Sequence, residues 1–244
     1  MRLIVDLAPS EPSLGLACEE SLFRSAIVNG ESLLHLWVNG RAIVIGRAQG
    51  IAAEVDVRAA EAEAVPVLRR ISGGGAVFHY PGNLNVSVVA PSRETGSVAD
   101  CFVRLGAAIC EGLSKIGICA VSSGNRLLVD GKKVGGAAQA RRGGFTLYHT
   151  TLLIAPPDRP IAHLLRAGRP GYRPNGVASK SWQTTTLTQC LGRPLSLDQA
   201  AAAVRQGLHG VCTLEEDRLG AREMAQARDL AETKYGSASW NASR

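Results

Sequence analysis

Between residues 69 and 85 the chain reads Arg69-Arg70-Ile71-Ser72-Gly73-Gly74-Gly75-Ala76-Val77-Phe78-His79-Tyr80-Pro81-Gly82-Asn83-Leu84-Asn85, and this run constrains everything around it. Two guanidinium groups close a β-like stretch. Three glycines follow, then an apolar pair, a histidine and a Pro-Gly-Asn turn. Without Cβ atoms, Gly73, Gly74 and Gly75 let backbone N–H groups approach a ligand closely, and arginine offers forked donors matched to phosphate or carboxylate. A glycine hairpin with two surface arginines is the plain alternative. The flanking Arg-Arg, His79 and Asn83-Leu84-Asn85 favour an anion site.

The string Arg-Arg-x-Ser-Gly-Gly-Gly-Ala-Val-Phe-His, followed by a turn and Gly-Asn, resembles the lipoate-protein ligases. That family shares its catalytic fold with octanoyltransferases and biotin protein ligases. The resemblance implies an α+β fold: a mixed, largely antiparallel sheet flanked by helices, of the biotin/lipoate ligase catalytic-domain type.

With 244 residues, 45% hydrophobic and 20% charged, the chain has ample material for one large core and no sign of disorder. No apolar run approaches the roughly 18 residues that a spanning helix needs, and Met1-Arg2-Leu3-Ile4-Val5-Asp6 lacks a long apolar h-region. The expectation is a cytoplasmic protein with no membrane partner. Cys18, Cys101, Cys110, Cys119, Cys190 and Cys212 match neither a paired zinc motif nor a disulfide scaffold, so most read as small buried hydrophobes. A formal charge of +6 with 5% aromatics argues against nucleic acid. Local positive charge at Arg126, Lys132, Lys133, Arg141 and Arg142, against Asp130, suits a nucleotide or an acidic protein.

Pro12 and Gly30 bracket a first helix with Leu14, Ala17, Cys18, Ser21, Leu22 and Ala26 on its inner face. Leu33 to Val38, Asn39-Gly40 and Ala42 to Ile45 predict a hairpin. Residues 54–65 predict a short helix, Val67 to Ile71 and Leu84 to Ala90 two strands paired about the glycine loop, and 97–116 an amphipathic helix. Asp130-Gly131 predicts a tight turn that places Lys133 at the start of a return strand, with room left by Gly135 and Gly136. Phe145 to Ile154 reads as a strand and 158–167 as a short helix. Capping boxes at Ser196/Gln199 and Thr213/Glu216 open the last two helices. No repeat or linker appears, so residues 1–244 read as one domain.

Several of these stretches extend the family resemblance. In the ligases a Leu-Trp-x-Asn…Val-Ile-Gly-Arg hairpin lies beside the acyl pocket, which places Trp37 and Arg47 there, with Gly75 and Lys133 at the same substrate pocket; Trp37 reads equally as a core aromatic. Asn-x-Leu-x-Val…Lys-Val-x-Gly-x-Ala carries the essential lysine, here Lys133. His149-Thr150-Thr151-Leu152-Leu153 is similar to the family's His-Gly-Thr-Leu-Leu, with Thr150 in place of glycine. Asn175-Gly176-Val177-Ala178-Ser179-Lys180 resembles the Lys-Gly-Ile/Val-x-Ser stretch.

The resemblance implies ATP and Mg²⁺ as cofactors, lipoate or octanoate as substrate, and a lipoyl-acceptor protein domain as partner. It assigns nucleotide or acyl-adenylate contacts to Arg70, Ser72, Gly73, Gly74, Gly75, Val77, His79, Asn83, Asn85, Asn125, Lys133, Gly136, Ala138, His149 and Thr151, with Lys133 catalytic and Arg70 gripping phosphate or carboxylate. The metal ligands stay open, because the ligases often have Asn-Asp where this chain has Asn125-Arg126; Asp130 or a glutamate elsewhere is the substitute. The family's smaller C-terminal accessory domain has no counterpart, and a separate small protein is the expected supplier.

Two other readings fit parts of the pattern. An octanoyltransferase would use a cysteine acyl-enzyme, yet its Pro-Cys-Gly position reads Pro174-Asn175-Gly176, which leaves Cys190, in a loop before Gly192-Arg193-Pro194, as the candidate. A non-catalytic acyl-adenylate binding module would have no need of Lys133. The Gly-Arg-Gly-Arg-x-Gly-Arg loop of biotin ligases is absent.

Overall fold

In the computed structural model, which describes residues 1–210 and 212–243, the chain opens with β1 (Arg2–Ser10), α1 (Pro12–Asn29), β2 (Leu33–Asn39) and β3 (Ala42–Ile45). There follow α2 (Ile51–Glu54), α3 (Val57–Ala62), β4 (Val67–Arg69), β5 (Val77–His79), β6 (Asn83–Pro91), α4 (Ser92–Thr95) and α5 (Val98–Ser114). Next come β7 (Val121–Ser123), β8 (Arg126–Val129), β9 (Lys132–Arg142) and β10 (Phe145–Leu153). The last elements are α6 (Leu187–Leu191), α7 (Leu197–His209), β11 (Glu215–Asp217), α8 (Ala221–Leu230), a π-helical turn (Ala231–Tyr235) and α9 (Ala238–Asn241).

Eight strands form one sheet in the order β11-β1-β2-β6-β10-β9-β8-β7. Only the β11/β1 and β1/β2 pairs are parallel. A second sheet has the order β4-β3-β5. The fold is therefore α+β with a large, mostly antiparallel sheet. Its main core sits between sheet residues such as Leu36, Val86 and Val134 and the helical residues Ile109, Leu113, Val204 and Leu208. Two glycines let α5 and α7 cross closely: a Cβ on Gly112 would collide with the carbonyl of Ala203, and one on Gly207 with that of Ala108. Among the described residues no helix is long and apolar enough to cross a membrane.

Several expectations need correction. Asn39-Gly40 is no hairpin turn, since β2 joins the large sheet and β3 the small one, and neither residue takes the positive φ such a turn requires. The cause is tertiary. Ser10 pairs with Asn39 in the β1/β2 ladder, Gly40 donates to the Ser10 carbonyl, and the Asn39 side chain is buried against Ser10. The predicted strands around the glycine loop, β4 and β6, also lie in different sheets, and β5, unforeseen, pairs with β3 instead.

The helix expected over 54–65 is two short ones, broken at Val55 and Asp56, and no helix forms over 158–167. Thr213 and Glu216 do not open a helix; residues 215–217 add a parallel strand beside β1. An unforeseen capping box, Thr186 with Gln189, opens α6 and puts Cys190 in that helix rather than in a loop. Of the six cysteines only Cys18 and Cys101 are fully buried, while Cys119 and Cys190 are exposed.

Candidate active site

The glycine loop runs from β4 to β5 and faces the large sheet. Arg69 is fully buried and donates to the carbonyls of Gly46, Gln49 and Asn241, tying the β3 end to the C-terminal segment. Arg70 turns back on its own loop. Its Nε donates to Ser72 Oγ at 2.9 Å, Nη1 to the Val44 carbonyl at 3.1 Å, and Nη2 to the carbonyls of Gly73 at 2.5 Å and Gly75 at 2.8 Å. Burial pushes the Arg70 guanidinium down to about 10, with Glu19 acting in the opposite sense.

With its carbonyls held in this way, the loop leaves the N–H groups of Gly73, Gly74 and Gly75 without a protein acceptor among the described residues. Free N–H groups in such a turn form an anion-binding concavity. Gly74 sits at φ +86°, and a Cβ on Gly75 would press on Ser179, so the loop is tight on two sides.

Below the loop lies a buried polar chain. Trp37 Nε1 donates to Ser87 Oγ at 2.9 Å, and Ser87 Oγ donates to Glu19 at 2.5 Å. His149 Nδ1 lies 2.9 and 3.0 Å from the two Glu19 oxygens, and its Nε2 lies 2.6 Å from Ser72 Oγ. Burial alone would raise the Glu19 carboxyl, but His149 and the bond from Ser87 hold it below its ordinary value. It is a carboxylate at neutral pH, and it orients the imidazole that reaches the loop. His79 is pushed down to about 3 by burial and stands neutral, with Asn39 Nδ2 and Thr151 Oγ1 each 3.4 Å from its ring nitrogens.

Lys133 is the second residue of β9, near the strand's start as expected, after a turn in which Asp130 (φ 49°) and Gly131 (φ 74°) are both left-handed. A bulge between Leu127 and Leu128 lets Val134 stand unpaired with β8, so Lys133 pairs with Leu128 and Gly135 with Leu127. The lysine folds over Gly136, where a Cβ would come within 2.7 Å of Nζ and 2.8 Å of Cε. Burial, then Arg126 and Arg70, lowers its pKa from the ordinary 10.5.

A strap over 176–186, without regular structure of its own apart from single bridges, closes this side. Lys133 N–H donates to the Gln183 carbonyl and Thr185 N–H to the Lys133 carbonyl. Ser179 Oγ accepts from Ala76 N–H and Gln49 Nε2. The ring of Trp182 carries the Arg126 guanidinium at 4.0 Å.

Two cavities, about 350 and 500 Å³, meet here. Both are lined by Ala76, Val77, Lys133, Gly136, Thr151, Ser179, Lys180 and Trp182. The smaller runs inward past Leu16, Trp37 and Val44 to Glu19, His79 and His149. The larger opens between Phe78, Tyr80, Leu153, Pro156, Ile161 and Leu165.

The structure brings together most residues singled out in the sequence. Arg70, Gly74, Gly75, Val77, His79, Asn85, Asn125, Lys133, Gly136, Ala138, His149, Thr151 and Trp37 all line the smaller cavity. Ser72, Gly73, Asn83 and Arg47 line neither. Ser72 acts from behind the wall through Arg70 and His149. Asn83 holds the Phe78 carbonyl, and Arg47 lies over Trp240 at 4.5 Å. None of the six cysteines lines either cavity.

Leu16, Glu19, Val44, Arg126, Thr150, Ser179, Lys180 and Trp182 are lining residues that the sequence reading did not assign to the site. One signal was available for Glu19, a carboxylate amid the small apolar face of α1. Among the described residues no group of three His, Cys, Asp or Glu side chains could cage a metal. Asp130 is exposed in its turn. Glu19 is fully engaged, whereas Glu54, lining the larger cavity, accepts from Tyr172 with one oxygen and keeps the other buried and unpartnered.

The family model described as lipoyl protein ligase A/B catalytic domain matches residues 11–209. A protein of Aeropyrum pernix, provisionally named lipoate-protein ligase A, is 33% identical over 96% of this chain and 89% of its own length. The bi-partite lipoate protein ligase of Thermoplasma acidophilum, solved in a study with its E2 lipoyl domain, superposes with a TM-score of 0.84 at 25% identity, covering 99% of this chain and 96% of that one. A T. acidophilum structure with bound lipoic acid gives 0.82 at 25% identity over 99% and 98%. A lipoate-protein ligase A bound with ATP gives 0.83 at 26% identity over 99% of both chains.

Proposed function

The chain belongs to the family of lipoyl protein ligase A/B catalytic domains, and on that footing we propose that it is an ATP-dependent lipoate-protein ligase. It joins lipoate to AMP and passes the acyl group to a lysine of an acceptor lipoyl domain. The observation that carries this reading is a cavity system of two arms with the half-buried Lys133 where they meet, the other lysine shared by both arms, Lys180, being exposed.

In the first step a lipoate carboxylate oxygen attacks the α-phosphorus of ATP, and pyrophosphate leaves. In the second, the amine of the acceptor lysine attacks the acyl carbonyl, the amide forms and AMP leaves. Negative charge gathers on the α-phosphate oxygens first and on the carbonyl oxygen second, and preorganised donors aimed at those atoms are the main catalytic device.

We assign the smaller arm to the acyl chain and the larger, with its apolar walls, to the adenosine. The mixed anhydride then crosses the junction. Lys133 donates to both the phosphate and the acyl carbonyl, and the free N–H groups of Gly73 to Gly75 face the same charge. Arg70 acts through the loop, holding the carbonyls of Gly73 and Gly75 away so that the N–H groups point outward. The pair Glu19 and His149 fixes Ser72, which accepts from Arg70. Glu54 fits as the single carboxylate of a Mg²⁺ held otherwise by phosphate and water, and when bound the ion would neutralise phosphate charge.

The T. acidophilum structure with lipoic acid and the ligase bound with ATP support the two ligands. The bi-partite T. acidophilum ligase supports an acceptor lipoyl domain and a separate accessory subunit as partners. A cytoplasmic location, where ATP is at hand, belongs to the same proposal. The cysteine acyl-enzyme alternative fits poorly, since Cys190 is exposed and lies outside both arms.

The test is incubation of the purified chain with ATP, Mg²⁺ and lipoate or octanoate, with and without extract of the source cells and an acceptor lipoyl domain. Pyrophosphate release and an acyl-adenylate mass are expected. Acyl transfer that needs no ATP, or an acyl-thioester on Cys190, would overturn the reading.

A further inference from the structure

We propose that Arg126 is a phosphate-binding residue, paired with Lys133 across Gly136 to form a two-cation anion site at the junction of the cavities. The ligase reading supplies the identity of the anion, a nucleoside phosphate; the geometry supplies the site.

Arg126 opens β8 and is the ladder partner of Gly136 on β9. Gly136 is the residue over which the Lys133 amine folds. The two cations therefore start from positions flanking one glycine, Lys133 on its own strand and Arg126 on the next, and both line the same cavity. Among the described residues the one acid lining that cavity, Glu19, is engaged by Ser87 and His149. Among the described residues Arg126 makes no ion pair, only long bonds of 3.3 and 3.4 Å to the carbonyl and hydroxyl of Ser123. Asp130, the nearest acid in sequence, lies exposed at the far turn.

Stacking sets the direction in which Arg126 can act. Its guanidinium lies 4.0 Å from the ring centroid of Trp182, and a planar guanidinium that uses its face this way keeps its N–H donors in the plane for an anion. Trp182 is part of the strap and lines both arms, so the stack holds the cation at the junction.

Like charges kept close without a counter-ion raise the free energy of the empty site. The pKa of Lys133 is lowered first by burial, and Arg126 and Arg70 add to it in the same sense. An anion of two or more charges relieves the repulsion at once, and a neutral nucleoside or the apolar tail of lipoate does not. Arg126 thus adds affinity for phosphate specifically.

Titration calorimetry on the full chain, with EDTA present so that the chain's own cations are what is read, tests this with pyrophosphate, ATP, adenosine and lipoate. Arg126→Gln is expected to weaken pyrophosphate and ATP about 10- to 100-fold, the usual loss for a hydrogen bond to a charged group, and to leave lipoate within two- to threefold. Arg126→Lys should recover part of the loss. Equal pyrophosphate affinity in wild type and folded Arg126→Gln, or no pyrophosphate binding by the wild type, overturns the inference. The ligase reading is judged apart, by adenylate formation: pyrophosphate binding that depends on Arg126 in a chain that makes no adenylate even with the extract present sinks that reading and leaves the anion site standing.

Discussion

Gly136→Ala separates the position of Lys133 from its presence. A Cβ at residue 136 would stand 2.7 Å from Nζ and 2.8 Å from Cε of Lys133, and no other atom is within 4 Å. Ordinary contact begins near 3.4 Å, so the amine must move by about 0.7 Å or more. The backbone can accept alanine, since Gly136 does not have positive φ and pairs regularly with Thr151 and Arg126. Replacing glycine where the conformation suits alanine stabilises a fold by about 0.4–1 kcal/mol. A misplacement near 1 Å at a reacting centre can cost about 100-fold in rate. The expected variant therefore melts at or slightly above the wild-type temperature, while its adenylate formation falls roughly 30- to 300-fold, between partial and complete loss of one preorganised donor. The assays are thermal denaturation by circular dichroism and pyrophosphate release at saturating ATP and lipoate. Wild-type turnover in a folded variant would show that Lys133 does not act from its place over Gly136. A marked drop in melting temperature would show that residue 136 matters for packing instead.

Lys133→Ala should remain folded and lose about 10²–10³ in acyl transfer, checked by the same pair of measurements. Because the Lys133 pKa is lowered in the folded state, the folded chain binds fewer protons than the unfolded one between that value and 10.5; the charged lysine lowers stability below this window, and the loss is relieved as pH rises through it. Lys133→Met should accordingly raise the melting temperature at pH 7, and the gain should shrink toward pH 10.5 in a series of melts. Single Cys→Ser changes at all six positions should leave ATP-dependent transfer within a few-fold, because none lines the cavities; a cysteine whose loss abolishes transfer without unfolding the chain would contradict the mechanism. Ser196→Ala removes the bond that Ser196 Oγ accepts from Gln199 N–H and should cost about 1 kcal/mol in urea denaturation.

What could be read in advance divides along local and distant causes. Asp130-Gly131 and Asn39-Gly40 are nearly the same turn signal. The first forms its hairpin because β8 and β9 lie next to each other in one sheet. The second fails because Asn39 is captured by Ser10, 29 residues earlier, and the chain must leave for another sheet. The glycine loop and Lys133 were legible for the same reason as the first turn, since their chemistry is local. Glu19 was not, because its meaning depends on His149, 130 residues away. The strap was legible only in part: residues 175–180 carried the family resemblance, but Ser179 and Trp182 acquire roles only through Ala76, Gln49 and Arg126. Arg70 was recognisable as important, but the direction of its donors, toward Gly73, Gly75 and Val44, depends on how β3 packs beside the loop.

That direction bears on how such a site pairs affinity with turnover. A guanidinium aimed at the ligand would bind the carboxylate of lipoate and the phosphate of the adenylate alike, and uniform binding does not speed the chemical step. A guanidinium that fixes a loop instead leaves the binding to backbone N–H groups, which are weaker singly but stand in place before charge develops and need no reorganisation when it does. Burial is what makes this arrangement firm. Arg70 is 5% exposed and Ser72 1%, so loss of the guanidinium would leave the buried Val44 carbonyl without this donor, at about 1–3 kcal/mol, and release the half-buried carbonyls of Gly73 and Gly75. In the proposed reaction the cations that face the ligand are Lys133 and Arg126, on the paired strands β9 and β8, and the neutral donors are the N–H groups of the loop. The adenylate would lie between that loop and two cations already in place, Lys133 over Gly136 and Arg126 on the ring of Trp182.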